Sequence, residues 1–307
     1  MIAAITGANG FIGRHLVRRF AEVGWEARPV VRADYASGAI VRLFDNADVV
    51  VHAAGATRAP SHAALHASNV DLTTRTLDAA KRAGVKRFMF ISSQAAAGPA
   101  SSCDRPVTET MPAAPVEAYG RSKLEAEELV HGTARMPAVV VRPGAVYGPG
   151  DRDFLALHRL ARRGVAIHPG NRDQWISIVH VDDLADAILS VSTAPDLAGK
   201  TFFIANEVPV QWGEVFRTVA ACAGRSLSVD VEIPSPLLDI GSKLGDFAAR
   251  VTGHAGLLTS DKVALSKAPF WICSSARARA ELKFLPRVSL QDGLCGTYHW
   301  YLTNGWL

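Results

Sequence analysis

Three glycines, each separated from the next by two residues, follow an apolar run at the start of this chain. The run is Ile2-Ala3-Ala4-Ile5, and the glycines are Gly7, Gly10 and Gly13. Apolar residues then recur at helical spacing, which predicts a helix over 11–24. Between a strand and a helix, such glycines permit a tight turn, close approach of a phosphate to the backbone and close packing of the helix. This pattern predicts a turn that binds the pyrophosphate of a dinucleotide at a helix N-terminus.

Further strand-like runs alternate with helical patterns along the first half of the chain. Together with the first, they are predicted at 1–6, 27–31, 48–53, 86–92 and 137–142, with a helix over 63–83 that ends at Gly84. This alternation predicts an α/β fold, a Rossmann-like doubly wound parallel sheet. The pattern loosens after Pro149. We therefore expect a dinucleotide-binding domain at 1–150 and a smaller C-terminal substrate domain at 207–307, joined by 151–175.

A phenol and an ammonium lie four residues apart in the predicted helix 117–131. Tyr119 and Lys123 therefore share one helix face. A nearby ammonium favours the phenolate, so Tyr119 is expected to exchange a proton near neutral pH, and Lys123 to hold the nicotinamide ribose as well. Ser93 ends the apolar run at 88–91, where α/β sheets bind ligands, and would bond the oxygen that Tyr119 protonates. The alternative is a surface Tyr–Lys pair and an ordinary strand-end serine.

Several motifs in this order resemble those of the extended short-chain dehydrogenase/reductases, the NAD-dependent epimerase/dehydratase superfamily. They lie at 6–13, 48–55, 91–93, 119–123, 142–150 and 179–185, with C-terminal matches at 276–282, 285–286, 289–294 and 300–301. The resemblance implies that Ser93, Tyr119 and Lys123 are catalytic. It also implies that 176–206 returns to the sheet domain. The residues expected to bind the cofactor are Gly7, Asn9, Gly10, Phe11, Ile12, Gly13, Arg32, Ala53, Ala54, Gly55, Ser92, Tyr119, Lys123, Pro143, Gly144 and Val146.

One segment departs from the family's pattern. Only 15 residues lie between Arg32 and Asp48, where the family has a helix, a strand, an acidic turn and another helix. We expect one helix at 37–46 and no third strand, so the adenine pocket must be rebuilt. Arg32 itself follows the second strand and suits a 2′-phosphate, which favours NADP over NAD. The alternative is a solvated arginine at a strand end.

The sequence gives less information about the substrate than about the cofactor. Apolar residues recur at helical spacing over 234–251: Leu237, Leu238, Ile240, Leu244, Phe247 and Val251. With 257–263, this predicts an apolar cover over the nicotinamide, in a layout similar to the 3β-hydroxysteroid dehydrogenase-like and sterol dehydrogenase branch. The alternative is that these side chains only pack the smaller domain. A nucleotide sugar would instead need arginines for its diphosphate, for which Arg152, Arg172 and Arg217 are available.

Three functions therefore compete. The leading hypothesis is an NAD(P)-dependent oxidoreductase that interconverts a secondary alcohol and a ketone on a bulky apolar small molecule. The alternatives are a nucleotide-sugar epimerase or dehydratase that recycles its bound cofactor, and a dinucleotide-binding regulator without turnover. Two polar residues receive structural interpretations: His180 is expected to belong to a helix N-cap with Asp182 or Asp183, and Asn69 to brace its helix.

Composition excludes other classes. A net charge of +4 and a pI of about 9.0, without a dense basic block, argue against nucleic-acid binding. Four cysteines without C-x-x-C spacing and ten scattered histidines predict neither a disulfide framework nor a metal site. The absence of a long apolar stretch and of a leader-like start predicts a cytoplasmic protein without a membrane span. A homodimer is one assembly that we consider. The small-residue segment 94–102 is expected to be a flexible loop.

Overall fold

The computed structural model describes residues 1–133, 136–252 and 260–307. Its strands are β1 (Ile2–Thr6), β2 (Glu26–Val30), β3 (Val49–His52), β4 (Phe88–Ile91), β5 (Ala138–Pro143), β6 (Ala145–Tyr147), β7 (Val165–Pro169), β8 (Trp175–Ile176), β9 (Ile178–His180), β10 (Thr201–Ile204), β11 (Val210–Gln211), β12 (Val229–Ile233) and β13 (Phe270–Trp271).

The α-helices follow the strands in alternation through the first half. They are α1 (Phe11–Glu22), α2 (Arg32–Ser37), α3 (Ile40–Phe44), α4 (His62–His66), α5 (Leu72–Arg82), α6 (Ala118–His131), α7 (Leu155–Ala161), α8 (Val181–Thr193), α9 (Trp212–Cys222), α10 (Ser235–Thr252), α11 (Ser260–Lys267), α12 (Ala276–Leu282) and α13 (Leu290–Thr303). A π-helical turn, Ala67–Asp71, joins α4 to α5, and a 3₁₀ helix, Gln94–Ala96, follows β4.

A six-stranded parallel sheet organises the molecule. Its order is β10-β5-β4-β3-β1-β2. Helices α1 and α8 cover one face through Leu16, Phe20 and Ile188, whereas α5 and α6 cover the other. Because both faces are buried, the strands are almost continuously apolar. The predicted α/β fold with a Rossmann-like parallel sheet is confirmed.

The local predictions are accurate except in the segment after β2. All five predicted strands and the helix at 11–24 are present, and the predicted helix 63–83 is present as α4, the π-helical turn and α5. The expected loss of the third strand is correct, because residues 31–48 contain no strand and β2 is the edge of the sheet. The helix predicted at 37–46 is present as α3, but the helix before it, α2, was not predicted; Gly38 ends α2 with a left-handed φ of 71° and so separates the two.

A second apolar cluster lies outside the large sheet. Helices α7, α9 and α13 pack around side chains such as Phe154, Phe216 and Leu294. Short sheets of β11-β8-β13 and of β12 with β7 complete this region, and β6 pairs with β9. Strand β10 joins the large sheet beside β5. The division of the chain into two domains at 1–150 and 207–307 remains a proposal.

The structure corrects the prediction that the cysteines form no disulfide. Cys222 on α9 and Cys295 on α13 are bonded, with their Cα atoms 5.2 Å apart and a sequence separation of 73. The spacing of cysteines along the chain carries no information about two distant helices that pack together. Cys103 and Cys273 are free thiols.

Two further predictions concern the segments 94–102 and 234–251. The segment 94–102 is not simply a loop, because it begins with the 3₁₀ helix and buries Ala96 and Ala97. The helix predicted at 234–251 is present as α10, with Leu238 buried but Leu237 and Ile240 about 60% exposed. The side chains of Leu244, Phe247 and Val251, and residues 257–259, lie outside the described part of the structure. No helix within that part is long and apolar enough to cross a membrane.

Candidate active site

The glycine turn has the shape that a bound pyrophosphate requires. Gly7 has a φ of 69°, and a Cβ there would lie 2.8 Å from the backbone of Ala54. A Cβ on Gly13 would lie 2.1 Å from the Gly7 carbonyl oxygen. Gly10 is the N-cap of α1, and no side chain caps the helix. The first-turn N–H groups are therefore available to an anion, and the residues present fit a dinucleotide.

The loop after β3 is held against this turn by a chain of hydrogen bonds. Thr6 Oγ1 accepts from the N–H of Ala54 at 3.2 Å and lies 2.7 Å from His52 Nδ1. His52 Nε2 lies 3.0 Å from Thr73 Oγ1. Burial lowers the pKa of His52 to about 3, with the nearby ammonium of Lys123 acting in the same direction. A neutral His52 therefore links β1, β3 and α5, and it positions Ala53, Ala54 and Gly55 beside the glycine turn.

Ser93, Tyr119 and Lys123 come together at the carboxyl end of β4. The Ser93 hydroxyl lies near enough to the Tyr119 phenol to lower its pKa. It also accepts from the N–H of Ala95 at 3.1 Å, which fixes its place at the start of the 3₁₀ helix. The Lys123 ammonium donates to the carbonyl of Ile91 at 2.7 Å and lies 4.1 Å from the ring centre of Phe90. The three side chains predicted to be catalytic thus share one site.

The electrostatics of Tyr119 differ from the expectation for a phenol beside an ammonium. Burial raises the pKa of Tyr119 to about 12, with its hydrogen bond to Ser93 opposing this and the charge of Glu117 adding to it. The charge of Lys123, whose ammonium donates to the carbonyl of Ile91, is not among the causes of this shift. The prediction that Tyr119 titrates near neutral pH is wrong for this structure. Burial lowers the pKa of Lys123 to about 7, opposed by the charge of Glu127.

A buried ion pair below the site was missed by the sequence analysis. Glu127 is 1% exposed and accepts from Arg142 Nε at 2.9 Å and Nη2 at 2.5 Å. The hydroxyl of Ser92, a residue expected to bind cofactor, donates to the same carboxylate. Glu127 lies four residues after Lys123, so helical spacing alone could have suggested that Glu127 and Lys123 are neighbours on one face of α6. The pair ties α6 to the ends of β4 and β5.

Two residues interpreted structurally have the roles expected of them. Asn69, in the π-helical turn, accepts from the N–H of Ala56 at 2.8 Å and donates to Ser122 Oγ at 2.9 Å. It therefore braces the loop after β3 against α6. His180 is the N-cap of α8, and its Nδ1 accepts from the N–H of Asp182 at 3.3 Å.

The remaining predicted cofactor residues fall in three places. Asn9 is exposed in the glycine turn, and Phe11 and Ile12 begin α1. Arg32 is exposed as the first residue of α2, directly after β2. Pro143 ends β5, and the next residues, Gly144 and Val146, line the large cavity described below. Arg32 and the side chains predicted to be catalytic thus lie at different ends of the expected cofactor path along the sheet.

A cavity of about 970 Å³ opens beside Ser93 and Tyr119. Large apolar side chains line much of it: Leu65, Phe154, Leu157, Ile167, Ile176, Trp212, Phe216, Val263, Leu265 and Trp271. Arg58 is the one lysine or arginine among the described lining residues, and it is paired with Asp153. Arg152, Arg172 and Arg217, considered for a diphosphate, do not line the cavity.

The expected wall from 234–251 is not observed among its described residues. None of them lines the cavity, and Leu237 and Ile240 are exposed. The apolar wall is built instead by α7, α9, α11 and the short sheet of β8 with β13. Helical periodicity showed that 234–251 is amphipathic, but it did not reveal which surface the apolar face meets.

Comparison with known proteins identifies the family. The model of the NAD dependent epimerase/dehydratase family matches residues 3–205. The chain belongs to this family. Members similar to it include a ceramide reductase of Caulobacter vibrioides, 29% identical over 324 residues that cover 100% of this chain and 96% of that protein. The family prediction is confirmed, and the chain is an extended short-chain dehydrogenase/reductase enzyme.

Other relatives act in different ways on different molecules, as their names state. A sterol-4-alpha-carboxylate 3-dehydrogenase of Saccharomyces cerevisiae is 23% identical over 337 residues, 96% of each chain. A UDP-glucose 4-epimerase of Vibrio cholerae is 30% identical over 253 residues, 70% of this chain and 74% of that one. The solved structure of MoeE5 in complex with UDP-glucuronic acid and NAD shares the fold, with a TM-score of 0.78, 24% identity and coverage of 99% and 100%.

Proposed function

We propose that this family member is an NAD(P)-dependent oxidoreductase that interconverts a secondary alcohol and a ketone on a bulky, mainly apolar small molecule. The observation that carries the proposal is the cavity of about 970 Å³, with Ser93 and Tyr119 at one end and mostly apolar walls elsewhere. Its size suits a large ligand, and such pockets bind through apolar surface with a few polar groups fixing orientation.

The charges that line the cavity support this choice over a nucleotide sugar. A diphosphate is commonly held by several cations, and arginine is suited to it through paired hydrogen bonds. Arg58 is the one arginine or lysine among the described lining residues, and Asp153 already neutralises it. Moving a diphosphate into such a site would leave its charge poorly matched.

Ser93 and Tyr119 are proposed to act on the reacting carbonyl. The nicotinamide, when bound, supplies the hydride for reduction. In the ketone, Ser93 and Tyr119 donate hydrogen bonds to the carbonyl oxygen, which gains negative charge as the hydride arrives. The phenol then gives up its proton to that oxygen. An alkoxide is much more basic than the phenolate even with the pKa of Tyr119 raised to about 12, so this transfer is favourable.

Lys123 is proposed to hold the ribose of the nicotinamide. Its ammonium is fixed by the carbonyl of Ile91, at the strand end that also carries Ser92 and Ser93. For the other end of the cofactor, we propose a preference for NADP over NAD. Arg32 supports this preference, because it is exposed at the first position of α2, next to the end of β2. We further propose a cytoplasmic location.

A nucleotide-sugar epimerase is the second candidate. The observation that favours it is the 30% identity to a UDP-glucose 4-epimerase. An epimerase returns the hydride to its substrate, so the nicotinamide shows no net change over a cycle. An oxidoreductase of the proposed kind instead consumes one reduced cofactor for each ketone.

A substrate panel separates these two functions. Wild-type enzyme is supplied with NADPH or NADH and with polycyclic or long-chain ketones, or with NAD and uridine, guanosine or thymidine diphosphate sugars. We expect stoichiometric loss of nicotinamide absorbance with the ketones and no binding of the sugars. Arg58→Gln provides the matched variant, since it removes the cavity's described cation: ketone reduction should change less than about threefold. Micromolar binding of a diphosphate sugar that Arg58→Gln abolishes, with no turnover of the ketones, would favour the epimerase.

A further inference from the structure

Gln94 follows Ser93 directly and lines the same cavity. It is the first residue of the 3₁₀ helix that Ser93 caps. Its carbonyl accepts from the N–H groups of Ala97 at 2.9 Å and Gly98 at 3.2 Å. This helix packs tightly on α6, because a Cβ on Gly120 would lie 2.3 Å from the carbonyl oxygen of Ala95. The backbone of Gln94 is therefore fixed relative to α6, on which Tyr119 directly precedes Gly120.

The side-chain amide of Gln94 is buried without using its donor. The residue is 5% exposed, and its Nε2 has no acceptor among the described residues. A second glutamine in the cavity wall provides a contrast. Gln174 donates to the carbonyls of Leu265 and Ala268 at 3.0 and 2.6 Å and accepts from Trp212 Nε1 at 2.9 Å. The Gln174 side chain therefore links several parts of the cavity wall through hydrogen bonds. The Nε2 group of Gln94 makes no such bond to a described residue.

We propose that Gln94 determines specificity by donating a hydrogen bond to a second oxygen of the substrate, next to the carbonyl that reacts. The inference rests on the proposed function, because Ser93 and Tyr119 locate the reacting oxygen. Since Gln94 adjoins Ser93, the second acceptor must lie within a few bonds of that carbonyl. The predicted substrates are therefore bulky ketones with a neighbouring amide, ester or hydroxyl oxygen, rather than simple ketones.

A buried hydrogen-bond donor in an apolar cavity discriminates strongly between substrates that carry a matching acceptor and substrates that lack it. A substrate without the second oxygen would leave the amide unpaired, and sites built around a hydrogen bond reject such analogues far more sharply than apolar pockets reject a missing methylene. Gln94 would thus select among ketones that the apolar walls alone bind equally well.

The test compares two long-chain ketones of equal length, one with an amide carbonyl two carbons from the ketone and one without it. The wild type should prefer the amide-bearing ketone by about tenfold or more in kcat/KM. Gln94→Leu should reduce this preference to less than about twofold by slowing the amide-bearing ketone alone. Gln94→Glu, which keeps oxygen acceptors but loses the donor at neutral pH, should behave similarly. Gln291→Leu, an exposed substitution outside the cavity lining, serves as the control.

Binding gives a readout that does not depend on turnover. Both ketones are titrated calorimetrically into the cofactor complex of Tyr119→Phe, with and without Gln94→Leu. A Kd preference that disappears with Gln94→Leu supports the role of Gln94 even if no ketone is reduced, in which case the proposed function alone fails. An unchanged preference, an equal loss for both ketones, a change in cofactor Kd alone, or binding of neither ketone overturns the assignment of Gln94.

Discussion

The carboxylate of Glu127 is paired with the guanidinium of Arg142 inside the protein, at N–O distances of 2.5 to 3.1 Å. Both side chains are at least 92% buried. Because the pair joins α6, which carries Tyr119 and Lys123, to the strand that leads into Gly144, it fixes the two halves of the candidate site to each other. Removing one partner would leave a buried charge uncompensated.

Glu127→Gln is therefore expected to lower the free energy of unfolding by about 3 to 5 kcal/mol. Replacing both partners, as in Glu127→Leu with Arg142→Met, should restore much of this loss, since no buried charge remains. Denaturant unfolding measures both effects. Glu128→Gln is the matched control, because Glu128 is exposed on the same helix. If the single and double variants are equally destabilised, the charge pairing is not what stabilises this region.

This pair marks the limit of what the sequence could predict. Gly7, Ser93 and Tyr119 could be proposed from the sequence because each belongs to a short motif in which the local order of strand, turn and helix determines where the residue lies. The partner of Glu127 lies 15 residues away on a neighbouring strand, so only the packing of α6 on the sheet brings them together. The bond between Cys222 and Cys295 was missed for the same reason.

The cavity wall was mispredicted for a related physical reason. Periodicity in 234–251 correctly indicated a helix, but amphipathic periodicity does not specify what an apolar face contacts. Val263 and Leu265 on α11 line the cavity instead, although their helix has little amphipathic pattern of its own. The pKa of Tyr119 was mispredicted because the spacing placed Lys123 on the same face but could not show that the phenol is buried.

Tyr119→Phe is expected to reduce kcat by about 10²- to 10⁴-fold, the usual contribution of general acid–base catalysis. Cofactor Kd should change less than about threefold, since Lys123 and the glycine turn remain. Lys123→Ala should weaken cofactor binding as well as turnover. Steady-state kinetics and fluorescence titration of reduced cofactor provide the two readouts. A Tyr119→Phe enzyme that keeps more than about a tenth of the wild-type rate would show that another group supplies the proton.

The affinity for NADH is expected to fall as pH rises through about 7. Burial lowers the pKa of Lys123 to about 7 from its ordinary value of 10.5, so the ammonium loses its proton in this range and the positive charge near the ribose disappears. Other groups near Lys123 titrate elsewhere: the pKa of His52 is about 3 and that of Tyr119 about 12. Kd is measured between pH 6 and 9 with NADH, which lacks a titrating 2′-phosphate. Lys123→Met should remove the pH dependence. A dependence that persists in this variant must come from another group.

Arg32→Ala tests cofactor choice. Wild-type enzyme should bind NADPH more tightly than NADH, because the exposed guanidinium at the end of β2 can pair with the 2′-phosphate. The variant should lose this preference through weaker NADPH binding, with NADH affinity unchanged. Arg42→Ala, a charge-matched control on α3, should retain it. Equal affinities of the wild type for NADPH and NADH would show that Arg32 does not bind the 2′-phosphate.

The disulfide should stabilise the region that carries much of the cavity wall. Cys222 ends α9, whose Trp212 and Phe216 line the cavity, and Cys295 lies on α13. Because the bond closes a loop across 73 residues, Cys222→Ser with Cys295→Ser should lower the free energy of unfolding by about 2 to 4 kcal/mol. Thiol titration of unreduced, denatured wild type should detect two thiols, Cys103 and Cys273, and four after reduction. Cys103→Ser, which leaves the bond intact, is the control. Four thiols before reduction would show that α9 and α13 are held by packing alone, and the serine pair should then cost little stability.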